Sequence, residues 1–293
     1  MTDASTSGWT TLVAADALAA ALDRHDLRIV DCRFSLAAGG GAADAGEAAY
    51  REAHIPGAVY AHLDRDLSGS HGPSLGRHPW PSADAFGATL ARWGVTPSTQ
   101  VVAYDDGDSA FASRLWWLLR TFGHARVAVL DGGWAAWRAS ALPVTARVDA
   151  PAPVAVSGAF DENRLVRDAS ALQAHLDAGG LLLDARAAAR FRGEVEPIDP
   201  RAGHVPGAIN RAYADNLHDG RFKSSAVLAT EFDALLGTRH APVDVVAMCG
   251  SGVTACHHLL AMAHVARDGG RLYAPSWSGW INDPTRPVAV GGA

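Results

Sequence analysis

Short apolar runs alternate along this chain with longer stretches in which Ala, Leu and aromatic residues recur three to four positions apart. In the first half, the runs at 28–31, 100–104 and 126–130 are rich in β-branched residues and too short for helices, so they are expected to be buried strands. The stretches at 16–23, 83–93 and 110–122 have helical spacing. Strands that alternate with helices imply an α/β fold, a mostly parallel sheet with helices on both faces. In such sheets ligands gather beyond the carboxyl ends of the strands, so the loops after the apolar runs are where chemistry is expected.

The pattern then repeats. His54-Ile55-Pro56-Gly57-Ala58-Val59 returns as His204-Val205-Pro206-Gly207-Ala208-Ile209, and Ile29-Val30-Asp31-Cys32-Arg33 as Leu182-Leu183-Asp184-Ala185-Arg186. Val101-Val102-Ala103-Tyr104-Asp105 returns as Val245-Val246-Ala247-Met248-Cys249, and Gly133-Trp134-Ala135-Ala136-Trp137 as Ser276-Trp277-Ser278-Gly279-Trp280. Four blocks in one order, each about 150 residues after its first appearance, mean a duplicated unit. The stretch 144–158, with Pro151 and Pro153 among small residues, reads as the connection. This sets a first unit at 1–145, a linker at 146–158 and a second unit at 159–293. Gly39 to Glu47 reads as a flexible surface insertion without chemistry.

Composition narrows the function. The 293 residues suffice for two domains at roughly 150 residues each, and the 48% apolar and 19% charged content is that of a soluble globular protein. The net charge is −6 and the 25 basic residues form no long cluster, which argues against nucleic-acid or membrane-surface partners. No apolar run approaches the roughly 20 residues of a membrane helix, and the first residues lack a basic, then apolar, leader, so a cytoplasmic protein is expected. Cys32, Cys249 and Cys256 are too few and too scattered for a disulfide framework or a zinc site. No metal or cofactor is expected.

Cys249 opens the run Cys249-Gly250-Ser251-Gly252-Val253-Thr254-Ala255, directly after the apolar segment 243–247. Strand, Gly-rich turn and helix in that order place its thiol in a nest of backbone N–H groups closed by a helix N-terminus, which is an anion site. A thiol there is expected to act as a thiolate nucleophile. The first copy has Asp105 at that position, followed by the acidic loop Asp106-Gly107-Asp108, so it is expected to be catalytically silent.

The remaining conspicuous residues have plainer explanations. His54 and His204 recur with the duplication and adjoin Pro-Gly turns, while Asp31 and Asp184 end strands and are expected to anchor loops. His257 and His258 are adjacent and face different sides of a helix, which does not make a metal site. Cys256 and the tryptophans at 116, 117, 134, 137, 277 and 280 are expected to pack in the core and at the domain interface.

Two tandem units with His-Pro-Gly-Ala motifs, an acidic first loop and Cys-Gly-Ser-Gly-Val-Thr-Ala in the second resemble the two-domain rhodanese sulfurtransferases over nearly the whole chain. The Gly-Ser-Gly pattern is most similar to the 3-mercaptopyruvate branch. The resemblance implies two rhodanese-like domains with catalysis in the second. It implies that Arg190 and Arg201 hold the donor carboxylate, with Gly250, Gly252, Val253 and Thr254 lining the loop. It also implies that Ser251, His78 and Asp64 form a Ser-His-Asp relay beside Cys249. Charge supports the branch independently, because thiosulfate is a dianion and Gly250, Ser251 and Gly252 offer it no cation.

The expected reaction moves sulfur from 3-mercaptopyruvate through a Cys249 persulfide to cyanide or a thiol, such as a thioredoxin-like protein, and releases pyruvate. The alternatives are a thiosulfate:cyanide sulfurtransferase and a persulfide carrier or scaffold without turnover. A Cys-x5-Arg phosphatase is disfavoured, because the sixth residue after Cys249 is Ala255 and phosphate would lack its guanidinium.

Overall fold

The computed structural model describes residues 8–35 and 44–292. In the first copy, strands β1 (Leu12–Val13), β2 (Leu27–Asp31), β3 (Val59–Tyr60), β4 (Gln100–Tyr104) and β5 (Val127–Leu130) form a sheet ordered β1-β5-β4-β2-β3. In the second, β6 (Leu165–Val166), β7 (Leu181–Asp184), β8 (Ile209–Asn210), β11 (Val245–Met248) and β12 (Arg271–Tyr273) form a sheet ordered β6-β12-β11-β7-β8. Every pairing in both sheets is parallel. A small antiparallel hairpin, β9 (Leu217–His218) and β10 (Arg221–Phe222), lies outside them. The two strand orders are the same order, which is the duplication seen in three dimensions.

Helices α1 (Ala15–Ala19), α2 (Ala45–Glu52), α3 (Leu63–Asp66), α4 (Ala83–Arg92), α5 (Ala112–Thr121) and α6 (Gly133–Ala139) belong to the first copy. The second carries α7 (Ala169–Asp177), α8 (Ala188–Phe191), α9 (Ser225–Leu236), α10 (Ala255–His264) and α11 (Ser276–Trp280). Side-chain caps fix several starts: Ser82 accepts from Ala85 N–H and Asp168 from the amides of Ser170 and Ala171.

Both sheets are buried on both faces, which is why their strands read as continuous apolar runs rather than alternating ones. One core lies under the outer helices of each copy, around Leu18, Ile29 and Trp137 in the first and Leu172, Leu182 and Trp280 in the second. A third core is shared, with Trp116 and Trp117 on α5 and Leu259 and Leu260 on α10. The duplicated tryptophans are tied the same way: Trp137 Nε1–H donates to Pro143 O at 2.8 Å and Trp280 Nε1–H to Pro287 O at 3.0 Å.

Three local expectations are corrected. The helix expected at 16–23 stops at Ala19, and the chain continues in tight turns (Ala21 N–H to Leu18 O and Arg24 N–H to Ala21 O, both 3.0 Å) that deliver Leu27 to the sheet. The helix expected from 110 starts at Ala112, because the preceding backbone wraps around Asp105. The insertion expected at 39–47 ends earlier. Ala45 to Glu47 form the first turn of α2, and Glu47 pairs with Arg51 at 2.7 Å and Arg65 at 2.5 Å, while 39–43 lie outside the described residues.

Candidate active site

Strand β11 lies between β7 and β12, and its carboxyl end delivers Cys249 to the interface between the copies. The Cys249 amide donates to Ser276 Oγ at 3.1 Å, and its carbonyl accepts from Trp277 N–H at 3.0 Å. Ser276 holds a left-handed backbone, φ +52°, where the first copy has Gly133 at φ +51°. A buried serine tolerates that strain because its hydroxyl fixes the cysteine backbone. Gly252 then turns the loop at φ +80°, and its N–H points at Cys249 Sγ at 3.1 Å. A Cβ on Gly252 would lie 2.5 Å from Ala274 O, so only glycine fits. Helix α10 begins at Ala255, and its N-terminal dipole favours negative charge on this sulfur. Val253 is buried and Thr254 enters α10 without a side-chain cap.

The equivalent loop of the first copy shows what the nest holds. Asp105 turns its carboxylate inward: Oδ1 accepts from Gly107 N–H at 3.2 Å and Ser109 N–H at 2.9 Å, and Oδ2 from Phe111 N–H at 2.9 Å and Ala112 N–H at 3.1 Å. The first loop is therefore filled by its own Asp105 side chain. In the second, a shorter cysteine leaves most of those positions without an acceptor from its own side chain.

Across the interface, His78 is buried and its Nδ1 lies 2.7 Å from Ser251 Oγ. Its Nε2 lies 3.6 Å from Asp64 Oδ1, beyond a direct hydrogen bond. Burial first, then the cations Arg77 and Arg114, push His78 down to about 3, so it is neutral at physiological pH. The neutral ring meets the Ser251 hydroxyl through Nδ1 and turns Nε2 towards Asp64. The structure thus brings Ser251, His78 and Asp64 together in the order expected, with a loose last link.

Arg190 lies beside the loop. Its Nη2 reaches Glu196 Oε1 at 2.7 Å and Asp199 Oδ2 at 3.1 Å. A Cβ on Gly250 would stand 3.7 Å from both Arg190 Nη atoms and 3.2 Å from Arg77 Nη2. Arg77, from the first copy, is a residue the sequence reading missed. Its Nη1 binds the other Asp199 oxygen at 2.5 Å, and its amide donates to Ser278 Oγ at 2.9 Å. Alternating charges run from Asp184 through Arg186, Glu196, Arg190 and Asp199 to Arg77. Burial opposes ionisation of Glu196, yet bonds from Arg190 and the amides of Asp199 and Ile198 hold it below the usual carboxylate range. Arg201 is placed elsewhere: its guanidinium faces the carbonyls of Pro284 at 3.5 Å and Arg286 at 3.4 Å.

The other conspicuous residues anchor the fold. Asp31 and Asp184 grip Arg33 and Arg186, whose guanidiniums reach Ala53 O and Gly203 O. His54 and His204 bond Tyr50 O and Phe191 O through Nδ1. His257 and His258 are buried against Asn216, and burial pushes each down to about 3. Cys256 is buried, which pushes its thiol up to about 12. Among the described residues no cluster of His, Cys, Asp or Glu is arranged to hold a metal ion.

The sequence matches the Rhodanese-like domain family twice, over residues 14–140 and 168–283. The chain belongs to the rhodanese family. It is 50% identical over 285 residues to a probable 3-mercaptopyruvate sulfurtransferase of Pseudomonas aeruginosa, covering 96% of this chain and 98% of that one. It is 40% identical to a putative thiosulfate sulfurtransferase, SseB, of Mycobacterium tuberculosis, covering 85% and 87%. The crystal structure of SseA from Escherichia coli, described as a 3-mercaptopyruvate sulfotransferase, superposes with a TM-score of 0.79 at 32% identity, covering 92% of this chain and all of that one. This rhodanese-family chain is a sulfurtransferase with two rhodanese-like domains. No helix among its described residues is long and apolar enough to cross a membrane.

Proposed function

We propose that the protein transfers sulfur from 3-mercaptopyruvate through a persulfide on Cys249. The observation that carries this reading is the Gly252 N–H on Cys249 Sγ, set in a loop whose duplicate binds a carboxylate with four amides. The Cys249 thiolate attacks the donor thiol sulfur, an S–S bond forms, and the donor C–S bond breaks with its electron pair left on carbon as pyruvate enolate. The enolate takes a proton through Ser251 to become pyruvate, with neutral His78 holding the serine hydroxyl in place and Asp64 biasing the ring. The thiol proton is lost to solvent, which leaves a persulfide anion whose outer sulfur occupies the amide nest. Cyanide or a thiolate, such as that of a thioredoxin-like protein, then attacks the outer sulfur and releases Cys249 as thiolate, in ping-pong order.

Arg190 and Arg77 flank Gly250 and together suit the donor carboxylate, whereas Arg201 is turned to the carbonyls of Pro284 and Arg286. A guanidinium fork matches a carboxylate better than a point charge does. Thiosulfate remains the second reading on one specific observation: Arg77 supplies, from the other copy, the second cation that the loop sequence lacks. The cytoplasm is the compartment proposed, where Cys249 stays reduced.

Sulfur transfer to cyanide from 3-mercaptopyruvate and from thiosulfate, measured in parallel with Cys249→Ser as control, tests the reading. A preference for mercaptopyruvate that disappears in the variant supports it. A preference for thiosulfate shifts the donor, and activity that survives in Cys249→Ser removes the mechanism.

A further inference from the structure

Arg114 stands on α5 of the first copy, just before the apolar run Leu115-Trp116-Trp117-Leu118-Leu119, and is fully buried. Its guanidinium donates to backbone carbonyls: Gly252 O at 3.0 Å, Pro79 O at 3.2 Å, and His78 O and Leu67 O at 3.3 Å. The Trp80 ring lies 4.5 Å from its centre. Among the described residues no carboxylate forms an ion pair with it. A buried charge without a counter-ion is costly, and folds retain one where something completes it.

Burial opposes the charge on this guanidinium, and the ionisable groups that act on it from the second copy are the thiols of Cys256 and Cys249, which favour the charge, and Arg167, which opposes it. Cys256 donates to the same Gly252 carbonyl at 3.4 Å, and its burial keeps it a neutral thiol. That leaves Cys249, whose sulfur is the nucleophile of the proposed reaction and is reached through Gly252. Gly252 is the link, for its N–H meets Cys249 Sγ and its C=O meets Arg114. His78 O shares the guanidinium, so one side chain fixes both halves of the Ser251–His78 contact.

We propose that Arg114 is a positioning residue contributed by the non-catalytic copy: it is the buried counter-ion of the Cys249 thiolate and persulfide, and it clamps the catalytic loop to the His78 segment through Gly252. The first copy, whose own nest is closed by Asp105, thereby supplies charge to the second. Around Cys249 the other charged and titratable groups are Arg190, Glu196 and Asp199 from the second copy and Arg77, His78 and Asp64 from the first. Arg77 and Arg190 pair with Asp199 and Glu196 and flank Gly250 on the donor side of the loop, and His78 is uncharged, so Arg114, with no carboxylate partner among the described residues, is the buried cation left for the sulfur.

The test is the pH dependence of Cys249 alkylation by iodoacetamide in the full chain, read by peptide mass, with no sulfur donor present. The inference rests on Cys249 as nucleophile, but the readout does not depend on the donor, so a wrong donor leaves it intact. Arg114→Gln keeps a donor for Gly252 and removes the charge, whereas Arg114→Lys keeps the charge and loses the fork. At neutral pH, Arg114→Gln is expected to slow alkylation roughly tenfold or more, with the rate recovering at alkaline pH. Arg114→Lys is expected to stay within about threefold of the unmodified protein. Equal behaviour of the two variants, or an unchanged profile in folded Arg114→Gln, overturns the proposal. Should Arg114→Gln not fold, a tenfold loss in Arg114→Lys overturns it instead, and a retained profile supports it.

Discussion

His78 Nδ1 and Ser251 Oγ lie 2.7 Å apart across 173 residues of sequence and across the boundary between the two copies. The serine belongs to the nucleophile loop and the histidine to the silent copy, so the proton machinery exists only when both are docked. Ser251→Ala and His78→Ala are each expected to lower kcat with 3-mercaptopyruvate about 10- to 100-fold. Thiosulfate turnover should change by less than about threefold, because sulfite leaves without needing a proton. Asp64→Asn should cost only a few-fold, since its carboxylate is 3.6 Å from the ring and not hydrogen-bonded. Steady-state kinetics with both donors checks all three.

Because His78 is held neutral down to about pH 3, the kcat profile should carry no inflection near pH 6.5 from this histidine. A His78-dependent limb near pH 6.5, present in the native protein and lost in His78→Ala, would show a charged ring in the mechanism.

The donor carboxylate is assigned to Arg190 and Arg77. Arg190→Lys retains the charge but not the fork and is expected to raise KM for mercaptopyruvate about tenfold, and Arg77→Ala to do the same. Arg201→Ala should change KM by less than about threefold, because its guanidinium faces the carbonyls of Pro284 and Arg286. Gly250→Ala should also raise KM with little loss of stability, since its Cβ would stand between the two arginines.

Asp105 is structural on this account. Asp105→Ala strands four inward amides and is expected to destabilise the fold by about 1–3 kcal/mol without changing the kinetics of the folded protein. Chemical denaturation alongside activity per folded molecule separates the two effects.

Acid stability follows from the buried histidines. His78, His257 and His258 are each pushed from 6.5 down to about 3, so below pH 6.5 the unfolded chain binds protons that the folded one refuses. Their contribution is complete above pH 6.5 and is lost as pH falls towards 3. Asp105, pushed up to about 7 by burial and by Asp108, runs the other way, since its folded form keeps a proton that the unfolded chain releases above about 4. Burial also lowers His124, His175 and His264 and raises Asp106 and Asp131, so six histidines stand against three carboxyls and the unfolded state binds more protons. Stability should therefore fall by roughly 2–3 kcal/mol per pH unit between about pH 6 and pH 4.5. Urea titrations across that interval check the slope, and a flat response would mean the histidines are charged in the fold.

Much of this was legible in the sequence where the signal was local. The apolar runs gave the strands, their recurrence gave the two matching sheets, and Cys249 followed by glycines gave the nest. Ser251, His78 and Asp64 came from the family resemblance rather than from spacing, because no periodicity connects residues so far apart. Arg77 was hidden for the same reason, because only docking places it on Gly250. Arg114 did leave a trace, a charge directly before the apolar run 115–119, but its partners are backbone carbonyls, which no sequence displays. The acidity of the first loop was legible, but not that Asp105 folds inside it onto four amides.

The most direct test is the mass of the Cys249 peptide after the reduced protein meets 3-mercaptopyruvate without an acceptor. The account requires that peptide to gain one sulfur atom as pyruvate is released in equal amount, and to lose it when cyanide is added. Pyruvate release with no sulfur on Cys249, or sulfur found on Cys32 or Cys256 instead, would contradict it.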